Sequence, residues 1–190
     1  METLLSALVG NPNCGKTALF NLLTGSRQKV SNYSGATVER KEGLARTASG
    51  RIFRVLDLPG TYSLACVSQD EQVTFNVLYG LHPGEARPDL LLCVVDTTNL
   101  RLHLRFALEL QRLGLPAVLV MNMSDSARRR GVQIDTVRLS SQLGMPVVET
   151  VAIRRDGAVA LLNAMAGFDD IQPVPVSMVA VDLHARVGEI

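Results

Sequence analysis

The stretch GNPNCGKT, residues 10–17, decides the fold of this chain. It follows the continuously apolar run Leu4–Val9, which has the length of a buried strand, and it opens a helical pattern at Lys16–Thr24. The spacing G-x-x-x-x-G-K-[ST] between a strand and a helix is typical of a phosphate-binding loop. We therefore predict an α/β domain that binds the phosphates of a nucleotide at this loop.

The residue types in this loop suit the chemistry of phosphate and magnesium. Gly10 and Gly15 allow backbone N–H groups to converge on phosphate oxygens at the N-terminus of a helix. Lys16 is expected to neutralise the β- and γ-phosphates, and the hydroxyl of Thr17 is expected to bind Mg²⁺. The other loop residues expected to contact the nucleotide are Asn11, Pro12, Asn13, Cys14 and Ala18.

Apolar runs of strand length alternate with helical patterns along the rest of the chain. The predicted strands are Leu4–Val9, Val38–Thr47, Ile52–Leu56, Leu90–Val95, Ala117–Met121 and Val147–Val151. The predicted helices are Lys16–Thr24, Gln69–Tyr79, Leu100–Leu113, Thr136–Leu143 and Ala158–Ala166. We predict a mostly parallel six-stranded sheet with helices on both faces, in which Val38–Thr47 is one antiparallel edge strand. Ligands are expected at the carboxyl ends of the strands.

The composition argues against several classes of protein. Apolar residues make up 47% of the chain and charged residues 19%, which is typical of a globular domain. The net charge of +1 gives no electrostatic footprint for nucleic acid, and no such partner is expected. The only basic run, Arg128–Arg130, is interpreted as a solvated helix end or loop. No apolar run is long enough to span a membrane.

The three cysteines, Cys14, Cys66 and Cys93, are expected to be reduced thiols. Cys14 lies at the N-terminus of a predicted helix, which can lower the pKa of a thiol. Two interpretations therefore stay open for Cys14: a redox-sensitive switch, or a small residue that replaces serine.

The chain divides near residue 167. Residues 1–167 are predicted to form the nucleotide-binding domain. Two prolines in Gln172–Pro175 end any regular element. Residues 168–190 are therefore interpreted as a linker and the start of a truncated helical domain. The alternative is a short C-terminal helix that packs on the domain.

The stretch DLPGTYSL, residues 57–64, directly follows the predicted strand Ile52–Leu56. Asp57 lies where a carboxylate supports Mg²⁺, and the backbone N–H of Gly60 can reach the γ-phosphate. An ordinary turn at the end of a strand would be the simpler interpretation of these four letters. Behind a phosphate loop, the Mg²⁺ and phosphate roles are favoured.

The stretch NMSD, residues 122–125, follows the predicted strand Ala117–Met121. The carboxylate of Asp125 can accept hydrogen bonds from N1–H and the 2-amino group of guanine, and adenine lacks both donors. Asn122 can brace the phosphate loop and reach the purine N7, with Met123 beside it. The alternative for this motif is a helix N-cap.

The order of these three motifs resembles that of a Ras-like GTPase. The stretches GNPNCGKTALFNLLTG, GATVERKEG and DLPGTYSL are similar to the cytosolic GTPase domain of bacterial ferrous iron transport protein B, and the resemblance covers residues 3–166. It implies a Ras-like phosphate-loop GTPase fold. It also implies that members continue into a small helical domain and then a membrane-embedded iron permease.

The resemblance implies further residues of the site. Thr37 should be the switch I threonine that binds Mg²⁺ and covers the γ-phosphate, with Ala36 beside it, and residues 61–80 should contain switch II. The end of the last strand, Thr150–Ile153, should supply a backbone N–H to guanine O6, with Val151 and Ala152 expected to contact the nucleotide. Two features depart from the commonest pattern. The base-capping loop reads Thr150-Val151-Ala152 where Ser-Ala or a similar small polar pair is usual, and Met123 replaces a lysine.

Thr61 stands where Ras-like enzymes have a glutamine that orients water, and its short hydroxyl cannot reach round the γ-phosphate. Intrinsic hydrolysis should therefore be slow. Asn13 occupies the position at which several related GTPases have an asparagine that binds K⁺ beside the β- and γ-phosphates. Backbone carbonyls between Ser31 and Tyr33 would complete that site, and backbone groups near Gly60 and Thr37 would position water. The alternative for Asn13 is a residue chosen for its turn preference.

These features predict a Mg²⁺-dependent, K⁺-activated GTPase that regulates ferrous iron uptake by an attached permease, at the cytoplasmic face of the bacterial inner membrane. One alternative is a switch module in which nucleotide state changes a partner contact. Others are an RNA- or ribosome-associated GTPase of the same K⁺-using branch, and an ATPase or kinase, which Asp125 argues against. The oligomeric state is left open.

Overall fold

The computed structural model describes residues 3–25 and 28–173. Its centre is one seven-stranded sheet with the strand order β2-β3-β4-β1-β5-β6-β7. The strands are β1 (Leu4–Gly10), β2 (Gln28–Asn32), β3 (Glu39–Arg46), β4 (Ile52–Asp57), β5 (Leu90–Asp96), β6 (Ala117–Asn122) and β7 (Val147–Glu149). The α-helices are α1 (Lys16–Thr24), α2 (Gln69–Leu78), α3 (Leu100–Gln111), α4 (Ser124–Arg129), α5 (Thr136–Leu143) and α6 (Val159–Ala166). Short 3₁₀ turns cover Thr97–Asn99 and Phe168–Asp170.

The predicted fold class is confirmed, with one strand more than expected. Strand β2 was not predicted because its sequence, QKVSN, is polar and mostly exposed and so carries no apolar pattern. It pairs antiparallel with β3, from Gln28 opposite Gly43 to Asn32 opposite Glu39. Two antiparallel strands therefore extend the parallel sheet, and the edge strand is β2 rather than β3.

Helix α4 is the other unpredicted element, and its six residues are too few for a periodic apolar pattern. The basic run begins in its last turn, at Arg128 and Arg129, so the interpretation of a solvated helix end is confirmed. Arginines at this end of a helix interact favourably with its dipole.

The register of the parallel strands brings the predicted site residues to one edge of the sheet. Leu8 of β1 lies opposite Asp57, and Gly10 lies opposite Val94 of β5. On the next pair of strands, Asp96 lies opposite Asn122. The phosphate loop, the turn after Asp57 and the stretch after Asn122 therefore leave the sheet side by side.

Helices cover both faces of the sheet. Apolar residues of α2, α3 and α5, such as Val77, Leu104 and Leu139, pack on one face. Residues of α1 and α6, such as Phe20 and Leu161, pack on the other. These packed layers make the edge that carries the site rigid.

The chain beyond α6 returns to the start of β4. Phe168 meets Phe53 edge to face with ring centroids 6.1 Å apart, and Asp169 forms an ion pair with Arg51. The predicted boundary after residue 167 stays a prediction, and residues 174–190 of the predicted linker and helical start lie outside the described residues. Among residues 3–25 and 28–173, no helix combines the length and the apolar character needed to cross a membrane.

Candidate functional site

The surroundings of the two glycines in the phosphate-loop pattern leave no room for a side chain. A Cβ on Gly10 would lie 2.3 Å from the carbonyl oxygen of Val94. Gly15 has a positive φ of 81°, and a Cβ there would lie 2.2 Å from the side-chain nitrogen of Asn122. The loop can approach β5 and β6 this closely only with glycine at both positions.

Lys16 and Thr17, at the start of α1, both contact Asp57 at the end of β4. The ammonium group of Lys16 forms an ion pair with one carboxylate oxygen, and both side chains are at least nine-tenths buried. The Thr17 hydroxyl donates a 3.0 Å hydrogen bond to the other oxygen. A hydroxyl and a carboxylate so close together are ligands that Mg²⁺ prefers, and Lys16 supplies a cation for phosphate.

A cavity of about 430 Å³ lies beside the phosphate loop. Its lining is formed by Asn11, Pro12, Asn13, Gly15, Lys16, Thr17, Ala18, Gly60 and Asp70. The structure thus brings the loop residues and Gly60 together, and Gly60 packs so closely that a Cβ would lie 3.1 Å from the backbone of Pro12. Asp70 also lines this cavity, and sequence reasoning did not single it out. The only sequence feature that could have indicated it is its place in the first turn of the predicted helix α2.

The predicted switch I residues lie outside this cavity lining. The Thr37 hydroxyl donates a 3.2 Å hydrogen bond to Gln69 at the start of α2. Ser31 is paired in the β2–β3 ladder, and the carbonyl of Tyr33 accepts the N–H of Ala36 at 3.1 Å. The roles predicted for these residues in binding Mg²⁺ and K⁺ stay predictions.

Thr61 is buried, and its hydroxyl is directed into its own loop. It donates a 2.6 Å hydrogen bond to the carbonyl of Ser63 and lies 3.3 Å from the carboxylate of Glu71. The Thr61 N–H bonds the carbonyl of Gly10 at 3.1 Å. The residue therefore joins the turn to the phosphate loop, and its side chain does not line the cavity.

Asn122 joins the phosphate loop to the loop after β7. Its amide nitrogen donates a 3.0 Å bond to the carbonyl of Cys14, as predicted for a residue that braces the loop. Its amide oxygen accepts the N–H of Ala152 at 3.0 Å and the hydroxyl of Thr150 at 3.3 Å. The Ala152 N–H predicted to reach guanine O6 is thus bonded to Asn122 in this structure.

Asp125 lies in the first turn of α4 and pairs with Arg129 one turn later. The Nη1–Oδ2 distance is 2.9 Å, and this hydrogen bond holds the pKa of Asp125 below its ordinary value. The carboxylate is therefore charged and able to accept two hydrogen bonds at neutral pH. Met123 precedes it in the left-handed conformation, with φ of 60°, which turns the chain from β6 into α4.

Arg40, in the VERK stretch, belongs to a partly buried ion cluster that sequence reasoning missed. It pairs with Glu42 on its own strand and with Glu85 in the segment after α2, 45 residues away. The Tyr33 ring packs edge to face on His82 beside it, at 5.2 Å between centroids. The cluster ties the β2–β3 hairpin to the segment that follows α2.

Cys14 is fully buried, and burial raises the pKa of its thiol to about 11. The positive charge of Lys16 and the backbone N–H groups of the helix start lower the pKa less than burial raises it. The lowering that a helix N-terminus can cause is thus outweighed, because desolvation dominates. The structure favours a small packing residue over a redox switch.

This burial predicts an order of thiol reactivity. Iodoacetamide at neutral pH should modify the half-buried Cys66 in the native protein, while Cys14 and Cys93 react only after unfolding, because thiolates carry the reactivity. Mass spectrometry of native and denaturant-treated samples measures this order. Native Cys14 reacting as fast as Cys66 would contradict it.

Comparison with known proteins finds relatives that share one family description. A family model described as ferrous iron transport protein B matches residues 4–165. The Fe(2+) transporter FeoB of Salmonella typhimurium is 46% identical over 169 residues, which cover 87% of this chain and 21% of that protein. The chain spans about a fifth of the length of the curated relatives that it matches.

Two solved structures show the same fold at substantial identity. The cytosolic domain of L. pneumophila FeoB is 39% identical with a TM-score of 0.80, over 89% of this chain and 69% of that one. A mutant of S. thermophilus NFeoB bound to GDP is 39% identical with a TM-score of 0.78, over 87% of this chain and 61% of that one. The latter holds a guanine nucleotide on the same fold.

Proposed function

This chain belongs to the family of ferrous iron transport protein B, and from that premise we propose that it binds GTP and hydrolyses it slowly to regulate ferrous iron uptake. The permease portion of a longer protein, at the cytoplasmic face of the bacterial inner membrane, would be the regulated partner. The observation that carries the proposal is the 3.0 Å bond from Asn122 to the carbonyl of Cys14. This bond holds residues 122–125, here called the base-reading stretch, next to the phosphate loop. A single bound nucleotide has to contact both.

The Lys16–Asp57 ion pair supports the proposal that the site rearranges when nucleotide binds. Phosphate would draw the Lys16 ammonium away from Asp57, and the carboxylate would then be compensated by a divalent cation. Mg²⁺ would be held by Thr17, Asp57 and Thr37, and it neutralises phosphate charge when bound. Thr37 would first have to release Gln69.

Slow intrinsic hydrolysis is supported by Thr61. Its hydroxyl is bonded within the loop to Ser63, so it does not replace the missing glutamine. Backbone groups of Gly60 and Thr37 would then orient water. A lasting GTP-bound state would follow from such a site.

K⁺ activation is supported by the position of Asn13 in the cavity lining. K⁺ held there by the Asn13 side chain and by backbone carbonyls between Ser31 and Tyr33 would stabilise the charge that develops on the phosphates. The left-handed φ of 64° at Asn13 also matches the turn preference of asparagine. A test of K⁺ activation must therefore remove the Asn13 side chain without straining the left-handed backbone at this position.

Nucleotide competition tests the choice of GTP. GTP should displace a fluorescent GDP analogue from the wild-type chain far more effectively than ATP, because Asp125 accepts bonds that adenine cannot donate. Equal displacement by ATP would contradict a guanine site.

The Thr37–Gln69 bond favours a second function, a switch in which nucleotide state changes a partner contact, because it joins the two predicted switch regions. Single-turnover hydrolysis compared with GDP release separates the two functions. Release slower than hydrolysis favours the switch, and faster release favours an enzyme that turns over.

A further inference from the structure

Thr97 lies at the point where strand β5 leaves the sheet. The β5–β6 ladder ends with Asp96 opposite Asn122, and Thr97 then begins a 3₁₀ turn. Its hydroxyl donates a 2.6 Å hydrogen bond to the backbone carbonyl of Asn122, and both residues are buried. The side chain thus extends the regular series of strand–strand bonds by one step after the backbone has turned away.

Asn122 is the residue on which three parts of the site depend. Its side chain reaches the phosphate loop at Cys14 and the loop after β7 at Ala152, and the chain runs on from it to Asp125. The position of the Asn122 backbone determines where its side chain makes these contacts and where the chain to Asp125 starts. A bond that fixes this backbone therefore affects phosphate and base contacts together.

We infer that Thr97 is a positioning residue for the nucleotide site, which holds the Asn122 backbone so that phosphate loop and base-reading stretch stay in register. This inference rests on the proposed function. Thr97 is not among the residues that line the cavity, and its hydroxyl reaches the site through the backbone of Asn122. Thr97 therefore affects the fraction of molecules whose site has the arrangement that binds nucleotide.

The bond has a predictable thermodynamic role. Without it, the buried carbonyl of Asn122 loses a donor, and the end of β6 gains alternative positions. The competent arrangement is then less favoured in the nucleotide-bound protein as well, so bound GDP leaves more often through the alternative positions, and the apparent affinity falls. Hydrolysis at saturating GTP proceeds in the bound, ordered state and is affected little.

The test is Thr97→Val, which keeps the shape of the side chain and removes the hydroxyl. We expect release of a fluorescent GDP analogue to accelerate about three- to tenfold, with kcat at saturating GTP within about twofold of wild type. Thr97→Ser keeps the hydroxyl and should restore slow release.

The matched control is Thr24→Val at the end of α1. Thr24 is also buried, and its hydroxyl donates a 2.7 Å bond to the carbonyl of Phe20. Both valine variants should lower the melting temperature, but only Thr97→Val should change GDP release. Release at the wild-type rate from Thr97→Val, or equal acceleration in Thr24→Val, would overturn this inference alone. Failure of the wild-type chain to bind GDP would overturn the proposed function, and this inference with it.

Discussion

Replacing Lys16 with alanine is expected to lower GTP turnover by roughly 10²–10³-fold or more. The ammonium group is the cation that the structure places in the phosphate-loop cavity beside Asp57. Its loss removes the charge that compensates the β- and γ-phosphates as negative charge develops. Phosphate release from GTP under saturating Mg²⁺ measures the effect.

The same substitution leaves the buried Asp57 carboxylate without its partner, which costs on the order of 3–5 kcal/mol for a buried pair. Turnover must therefore be measured below the melting transition of the variant, as shown by circular dichroism. Lys29→Ala removes an equal charge from an exposed position on β2 and should stay within about twofold of wild type. A folded Lys16→Ala variant with wild-type turnover would contradict the assigned role.

The second large effect is expected from Asp125→Asn, which should reverse the choice of base. The asparagine amide can donate to the 2-carbonyl of xanthine but cannot accept from both guanine donors. GTP affinity should fall by about 10³-fold or more, and XTP affinity should rise, because unpaired buried polar groups are strongly rejected. Competition of GTP and XTP against a fluorescent nucleotide measures both changes.

Asp135→Asn is the matched control for this substitution. Asp135 caps α5 by accepting the N–H of Arg138 at 2.9 Å, a task that asparagine performs equally well. Its GTP affinity should match that of the wild type. If Asp125→Asn also kept wild-type preference for GTP, another residue would have to read the base.

The parts of the site that sequence predicts are those in which chemistry demands one residue type at a fixed spacing. Gly10 and Gly15 are such positions, since a Cβ at either would collide with β5 or β6. Asp57 and Asn122 are predictable because buried apolar strands end at them, and parallel strands place their carboxyl ends together.

Other parts depend on tertiary contacts that leave no local pattern. Arg40 and Glu85 meet across 45 residues, and Thr37 and Gln69 across 32. The polar strand β2 forms only because β3 offers it a ladder, and the six-residue helix α4 has no periodic pattern. The choice between the two interpretations of Cys14 also needed the structure, since burial by surrounding elements outweighs the local effect of the helix on its pKa.

GTP turnover in K⁺ compared with Na⁺ tests the proposal that this chain is a K⁺-activated GTPase. The measurement uses equal concentrations of the two salts, with wild type, Asn13→Gly and Asn13→Ala. Glycine tolerates the left-handed backbone at this position, whereas alanine strains it, so the glycine variant isolates loss of the side chain. We expect faster wild-type turnover in K⁺ and equal rates in both salts for Asn13→Gly. Equal wild-type rates in the two salts would contradict it.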